Sequence, residues 1–89
     1  MTDRAARIEQ RLREALAAES IEIRDESHLH AGHEGAKGGG GHFAVTIVSA
    51  KFQGQNTVMR HRLVYDALGD MMQKEIHALS ITALSPDEL

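Results

Sequence analysis

HFAVTIVSA, residues 42–50, decides the fold. Along an extended chain Phe43, Val45 and Ile47 fall on one side, and Ala44, Thr46 and Val48 on the other. β-Branched and aromatic residues dominate, and both sides are largely apolar, so the segment reads as a central strand with neighbours on either flank. Immediately before it, residues 30–41 read HAGHEGAKGGGG. Glycine is costly to order, and nothing in this stretch can build a core. It reads as a flexible His/Gly-rich loop that, with His28, extends over residues 28–41. Residues 20–29 read as another strand, because Ile21 and Ile23 alternate with Glu22 and Arg24. Residues 2–18 read as a helix. Thr2 is a candidate N-cap, and Ala5, Ile8, Leu12, Ala15 and Leu16 form one apolar stripe.

On the C-terminal side, KFQGQNT at 51–57 is a turn built around Gly54. Asn56 or Thr57 can cap a helix over 58–68 whose apolar side carries Leu63, Val64, Ala67 and Leu68, with Gly69 as its stop. Residues 70–75, DMMQKE, suit a short helical turn opened by Asp70. IHALSITAL, residues 76–84, reads as a third strand. Strict alternation puts Ile76, Ala78, Ser80 and Thr82 on one face and His77, Leu79, Ile81 and Ala83 on the other. Ser85, Pro86 and Glu88 then have the spacing of a helix start. The order α-β-β-α-(α)-β predicts an α+β sandwich, a three-stranded mixed sheet with helices on one face. The 89 residues suffice for one domain over 1–89.

Composition narrows the function. With no cysteine the chain has no disulfide, no thiolate nucleophile and no sulfur ligand of its own. Aromatics are limited to Phe43, Phe52 and Tyr65, too few for a base-stacking platform. A net charge of −3 provides no general field for nucleic acid. No apolar run approaches the roughly 20 residues that span a bilayer. MTDRAAR, the first seven residues, lacks the apolar core of a signal peptide. Together these features lead to the expectation of a cytoplasmic protein with no membrane contact. There is no G-x-S-x-G elbow, phosphate loop or dinucleotide fingerprint. Asp25 and Glu26 are adjacent, so on a strand they point to opposite faces and form no acid–base pair. Met71 and Met72 suit core filling. An enzyme is not expected, and no catalytic residue is assigned.

The six histidines are the unusual feature. If the strands flanking the loop pair antiparallel, and the helix between the second and third strands makes a parallel crossover, three strand ends meet at one edge of the sheet. His30, His33, His42 and His77 then gather there, while Arg60, His61 and Arg62 lie at the opposite end.

DESHLHAGH at 25–33, HFAVTIVSAKFQGQ at 42–55, RHRLVYDAL at 60–68 and IHALSITALSPDEL at 76–89 together resemble the BolA-like proteins in order and spacing. The F-x-G turn (Phe52, Gly54), the RHR helix start and the I-H-A-L strand carry most of the resemblance. It implies a fold like the class II KH domain and a heterodimer with a monothiol glutaredoxin around a shared [2Fe-2S] cluster. It also implies that the third-strand histidine, His77 here, and a loop residue, His30 here, are cluster ligands. His33 is an additional histidine whose role the pattern leaves open. Glutaredoxin cysteine and glutathione would supply the other two ligands, and the isolated protein would hold no cofactor. Some family members are described as DNA-binding transcriptional regulators. The tetraglycine end of the loop departs from the family pattern.

Each site also has a simpler reading. His77 could be a structural histidine at the sheet edge, its ring partly buried beside Leu79 and Ile81. The H-x-H-x-x-H run formed by His28, His30 and His33 could be solvated loop, or could hold Zn²⁺, Ni²⁺ or Cu²⁺ adventitiously. His42 reads as a strand-edge residue or as one that hydrogen-bonds a ligand histidine. Lys51, Arg60, His61 and Arg62 form the local basic cluster. With Phe52 and Gly54 they define a candidate nucleic-acid or partner surface over residues 52–62, where phosphate would meet a helix N-terminus. Alternatively these cations pair with acids such as Asp66 or Asp70. Gly54-Gln-Asn-Thr57 lacks the second glycine of a G-x-x-G nucleic-acid loop, and Gly32-His-Glu-Gly35 falls in the wrong connection. The favoured function is therefore an adaptor in iron–sulfur cluster trafficking or iron regulation. The alternatives are a DNA-binding regulator using the basic helix face and a metal-free interaction module.

Overall fold

The computed structural model describes residues 3–26 and 41–89. Its elements are helix α1 (Asp3–Leu16), strands β1 (Ser20–Asp25) and β2 (Gly41–Val48), helices α2 (Thr57–Leu68) and α3 (Met71–Lys74), and strand β3 (Ile76–Leu84). Single 3-10 turns occupy Ala50–Phe52 and Pro86–Glu88. The sheet order is β1-β2-β3, so the apolar strand is central, as expected. β1 pairs antiparallel with β2 and β2 pairs parallel with β3. The sheet is thus mixed, as the helical crossover requires. The first strand is Ser20–Asp25, where the sequence reading ran to residue 29, and residues 27–29 lie outside the described residues. None of the described helices is long and apolar enough to cross a membrane.

One core holds these layers. Ile8, Leu12 and Leu16 of α1 meet Phe43, Val45 and Ile47 of β2, with Val64 and Leu68 of α2, Met71 and Ile76. Phe52, inside the 3-10 turn, is fully buried among them. The helices therefore cover one face of the sheet. The other face carries Glu22 and Arg24 of β1, Ala44 and Thr46 of β2, and Ser80 and Thr82 of β3.

Helix ends are satisfied by specific side chains. Asn56 Oδ1 accepts the Met59 N–H at 2.9 Å and caps α2, one of the two residues the sequence offered for the task. The C-terminal carbonyls of both long helices are met by distant donors. Ser49 Oγ donates to Leu16 O at 2.6 Å and Lys51 Nζ to Ala15 O at 3.1 Å. Arg11 Nη1 donates to Leu68 O at 3.0 Å. A cation at a helix C-terminus also complements the helix dipole.

Just after α1, Ala17 has φ 49°, the left-handed conformation in which a Cβ is strained. Ala17→Gly is expected to stabilise the fold by about 0.5–1 kcal/mol, a rise in Tm of several degrees for a domain of this size. A thermal melt checks this, and an unchanged or lowered Tm would show that the strain is negligible here.

The C-terminal turn is held by an ion pair absent from local spacing. Arg60 Nη1 and Nη2 donate to the two carboxylate oxygens of Glu88 at 2.6 and 3.2 Å, while the Ser85 N–H donates to Glu88 Oε1 at 2.8 Å. Chiefly through the Arg60 hydrogen bond, and then through Ser85, the Glu88 carboxyl is lowered from 4.5 to about 2. Because its folded pKa is depressed, its stabilising effect is fully present above about pH 4.5 and is lost as the pH falls through about 2. Glu88→Gln should therefore lower Tm at neutral pH, with the deficit shrinking below pH 4.5 and vanishing near pH 2. A deficit constant across that range would exclude ionisation as its source.

Candidate metal centre

The strand directions bring the C-terminal end of β1 and the N-terminal ends of β2 and β3 to one end of the sheet. Backbone bonds fasten that end. The Glu26 N–H donates to His42 O at 2.7 Å, and the Gly41 N–H donates to Glu75 O at 3.1 Å. The Glu75 carboxylate is in turn paired with both terminal nitrogens of Arg7 on α1. The chain that leaves β1 and re-enters β2 is thus anchored at both ends beside the start of β3. His30 and His33 belong to that chain and lie outside the described residues.

At the start of β3 the register shifts. Gly41 pairs with Ile76, but His42 pairs with Ala78, leaving His77 as the extra residue of a β-bulge. The bulge breaks the alternation that the sequence suggests. Ile76 faces the core at 4% exposure, while Leu79, Ile81 and Ala83 pack against the same core. His77 therefore does not share a face with Leu79 and Ile81, and its ring is exposed where partial burial was expected. It turns to the open face of the sheet, where its ring centroid lies 5.0 Å from that of His42, the planes tilted by 48°. His42 is half-buried, with its Nε2 shielded from solvent. Apolar residues at 76, 79, 81 and 83 take one step of three and then steps of two. That irregular step is the signal by which a reading of the sequence could find the bulge.

His77 can present an imidazole nitrogen outward, and His42 backs it. Among the described residues no group of three or more His, Cys, Asp or Glu is placed to hold a metal ion.

The basic cluster lies at the opposite end, as expected, but much of it is engaged in the fold. Phe52 is in the core and Lys51 caps α1. Gly54 takes φ +79°, the left-handed conformation its turn needs. Arg60 is only 13% exposed and bonds Gln55 O, Ala83 O and Glu88. The pairing of Arg60 with Asp66 or Asp70 gives way to Glu88, because neither aspartate follows the three- or four-residue helical spacing. Asp70 instead lies 3.7 Å from Arg11 and 3.6 Å from Lys74. His61 is half-buried and Arg62 exposed. With Val58, Tyr65 and Asp66 they line a shallow concavity of about 440 Å³. Of its exposed apolar members, Tyr65 lies outside the sequence-based surface, and Val58, within its bounds, was not singled out.

A three-stranded mixed sheet covered on one face by helices places the chain among small α+β domains. A family model described as BolA-like protein matches residues 12–88, and the chain belongs to the BolA-like family. SufE-like protein 1 of Arabidopsis thaliana is 43% identical over 91 residues, covering 97% of this chain and 24% of that protein. Protein BOLA1 of the same plant is 44% identical over 89 residues, covering 97% and 56%. The chain thus spans only part of the length of these relatives. Among solved structures, the BolA domain of SufE1 from Arabidopsis thaliana matches with a TM-score of 0.88 at 43% identity, covering 100% of this chain and 99% of that one. The solution structure of mouse BolA1 gives 0.81 at 38%, covering 99% and 69%.

The relatives overturn the cytoplasmic expectation. SufE-like protein 1 is named chloroplastic/mitochondrial and BOLA1 chloroplastic, and neither name is cytoplasmic. The physical reason is simple: the composition of a folded domain reflects its core and surface, and carries no address.

Proposed function

We propose that this chain is an adaptor that partners a monothiol glutaredoxin and completes the ligands of a bridging [2Fe-2S] cluster, in iron–sulfur trafficking or iron regulation. His77 is one ligand. The second is His30, from the segment between β1 and β2, with His33 as the competing donor. The observation that carries this reading is the exposed His77, bulged out at the sheet end where the histidine-bearing segment leaves and re-enters. Neutral imidazole is a suitable ligand for cluster iron, as in Rieske centres, where two histidines serve one iron. Such a cluster takes four ligands and this chain has no cysteine, so partner thiolates must supply the remainder. Glutaredoxin cysteine and glutathione fill that role.

The test is a titration of this protein into [2Fe-2S]-loaded monothiol glutaredoxin, followed by visible absorption and circular dichroism. A new spectrum saturating at one-to-one supports the reading. No spectral change at any ratio removes it.

A further inference from the structure

The geometry points to His42 as the residue that positions the His77 imidazole, a role that rests on reading His77 as a ligand. A side chain on a bulge has no strand partner directly opposite to restrict it. His77 is also exposed, so solvent alone would leave its rotamers open. Its neighbour across the bulge is different. The backbone of His42 is held by β2 pairing and by the Glu26 N–H at 2.7 Å, and its ring is half-buried with Nε2 shielded. The two rings lie 5.0 Å apart at a 48° tilt, within the range of favourable aromatic pairs. A half-buried ring on a fastened backbone thus stands against an exposed one, and the contact selects which way the exposed imidazole points. Both features arise from the same register shift, since without it His77 would face the core.

The size of the effect follows from rotamer counting. A free histidine has three χ1 wells and a roughly two-fold χ2, about six arrangements. Ligand affinity falls in proportion to the competent fraction. His42→Ala is therefore expected to weaken cluster-bridged complex formation about three- to sixfold and to change the shape of its visible circular dichroism, which responds to ligand geometry. His42→Phe keeps a ring without its nitrogens and is expected to restore both. In the free protein, NMR order parameters of the His77 ring should fall in His42→Ala and recover in His42→Phe, with melts confirming that both variants fold. Wild-type affinity and ring order in His42→Ala, or failure of folded His42→Phe to restore them, would overturn the positioning role. That outcome is distinct from failure of the cluster reading, in which His77→Ala itself leaves the titration unchanged.

Discussion

His77→Ala is expected to abolish the new absorption and circular dichroism of the glutaredoxin complex while leaving the fold intact. The first half follows from ligand number. A [2Fe-2S] cluster takes four ligands, and on the proposed reading the variant leaves it one short. The second half follows from exposure. His77 lies on the open face, and its truncation leaves no cavity in the core. Substitutions at such positions usually change stability by within about 0.5 kcal/mol. Melts of wild type and variant should therefore coincide within a few degrees while their titrations diverge. The same assay separates the loop donors: His30→Ala should behave like His77→Ala, and His33→Ala should behave like wild type. A wild-type spectrum and midpoint for His77→Ala would exclude it as a ligand.

Phe52→Ala is expected to have the opposite profile. Phe52 is wholly enclosed by the shared core of α1, β2 and α2. Removing a buried phenyl ring loses its transfer free energy and leaves a cavity, at a cost of about 3–5 kcal/mol. Small domains are stable by only about 5–15 kcal/mol, so the variant should melt more than about 10 °C lower, or be partly unfolded at 25 °C. Urea denaturation and a thermal melt measure this directly. A change below about 1 kcal/mol, together with lost binding to a partner or nucleic acid, would return Phe52 to the surface role that its turn position suggests.

These two residues show where the sequence was legible. HFAVTIVSA announced a central strand because its alternation and β-branching are local properties, and the structure places it between its two neighbours. Gly69 marked the end of α2 for the same reason. The convergence of three strand ends followed from connection rules alone, and the pairing agrees. What failed depended on contacts between distant parts of the chain. A single phenylalanine in a turn has no periodicity, so nothing local says that Phe52 points inward. Arg60 and Glu88 meet only because β3 returns the chain to the start of α2. The bulge at His77 was present as one irregular apolar step, but strict alternation hid it, and with it the contact with His42. The cytoplasmic expectation failed for another reason, since location has no counterpart in packing at all.

The parallel pairing of β2 with β3 has a consequence for how the protein is made. During synthesis α1, β1 and β2 leave the ribosome before β3, and β2 cannot gain its second neighbour until α2 and α3 have followed. Gly41 must then find Ile76 across that whole crossover, the slow, non-local step in a chain whose other pairings are nearer in sequence. The bulge forms only in that closure. His77 is therefore delivered to the open face as the sheet is completed, and a nascent or half-folded chain does not yet present it there.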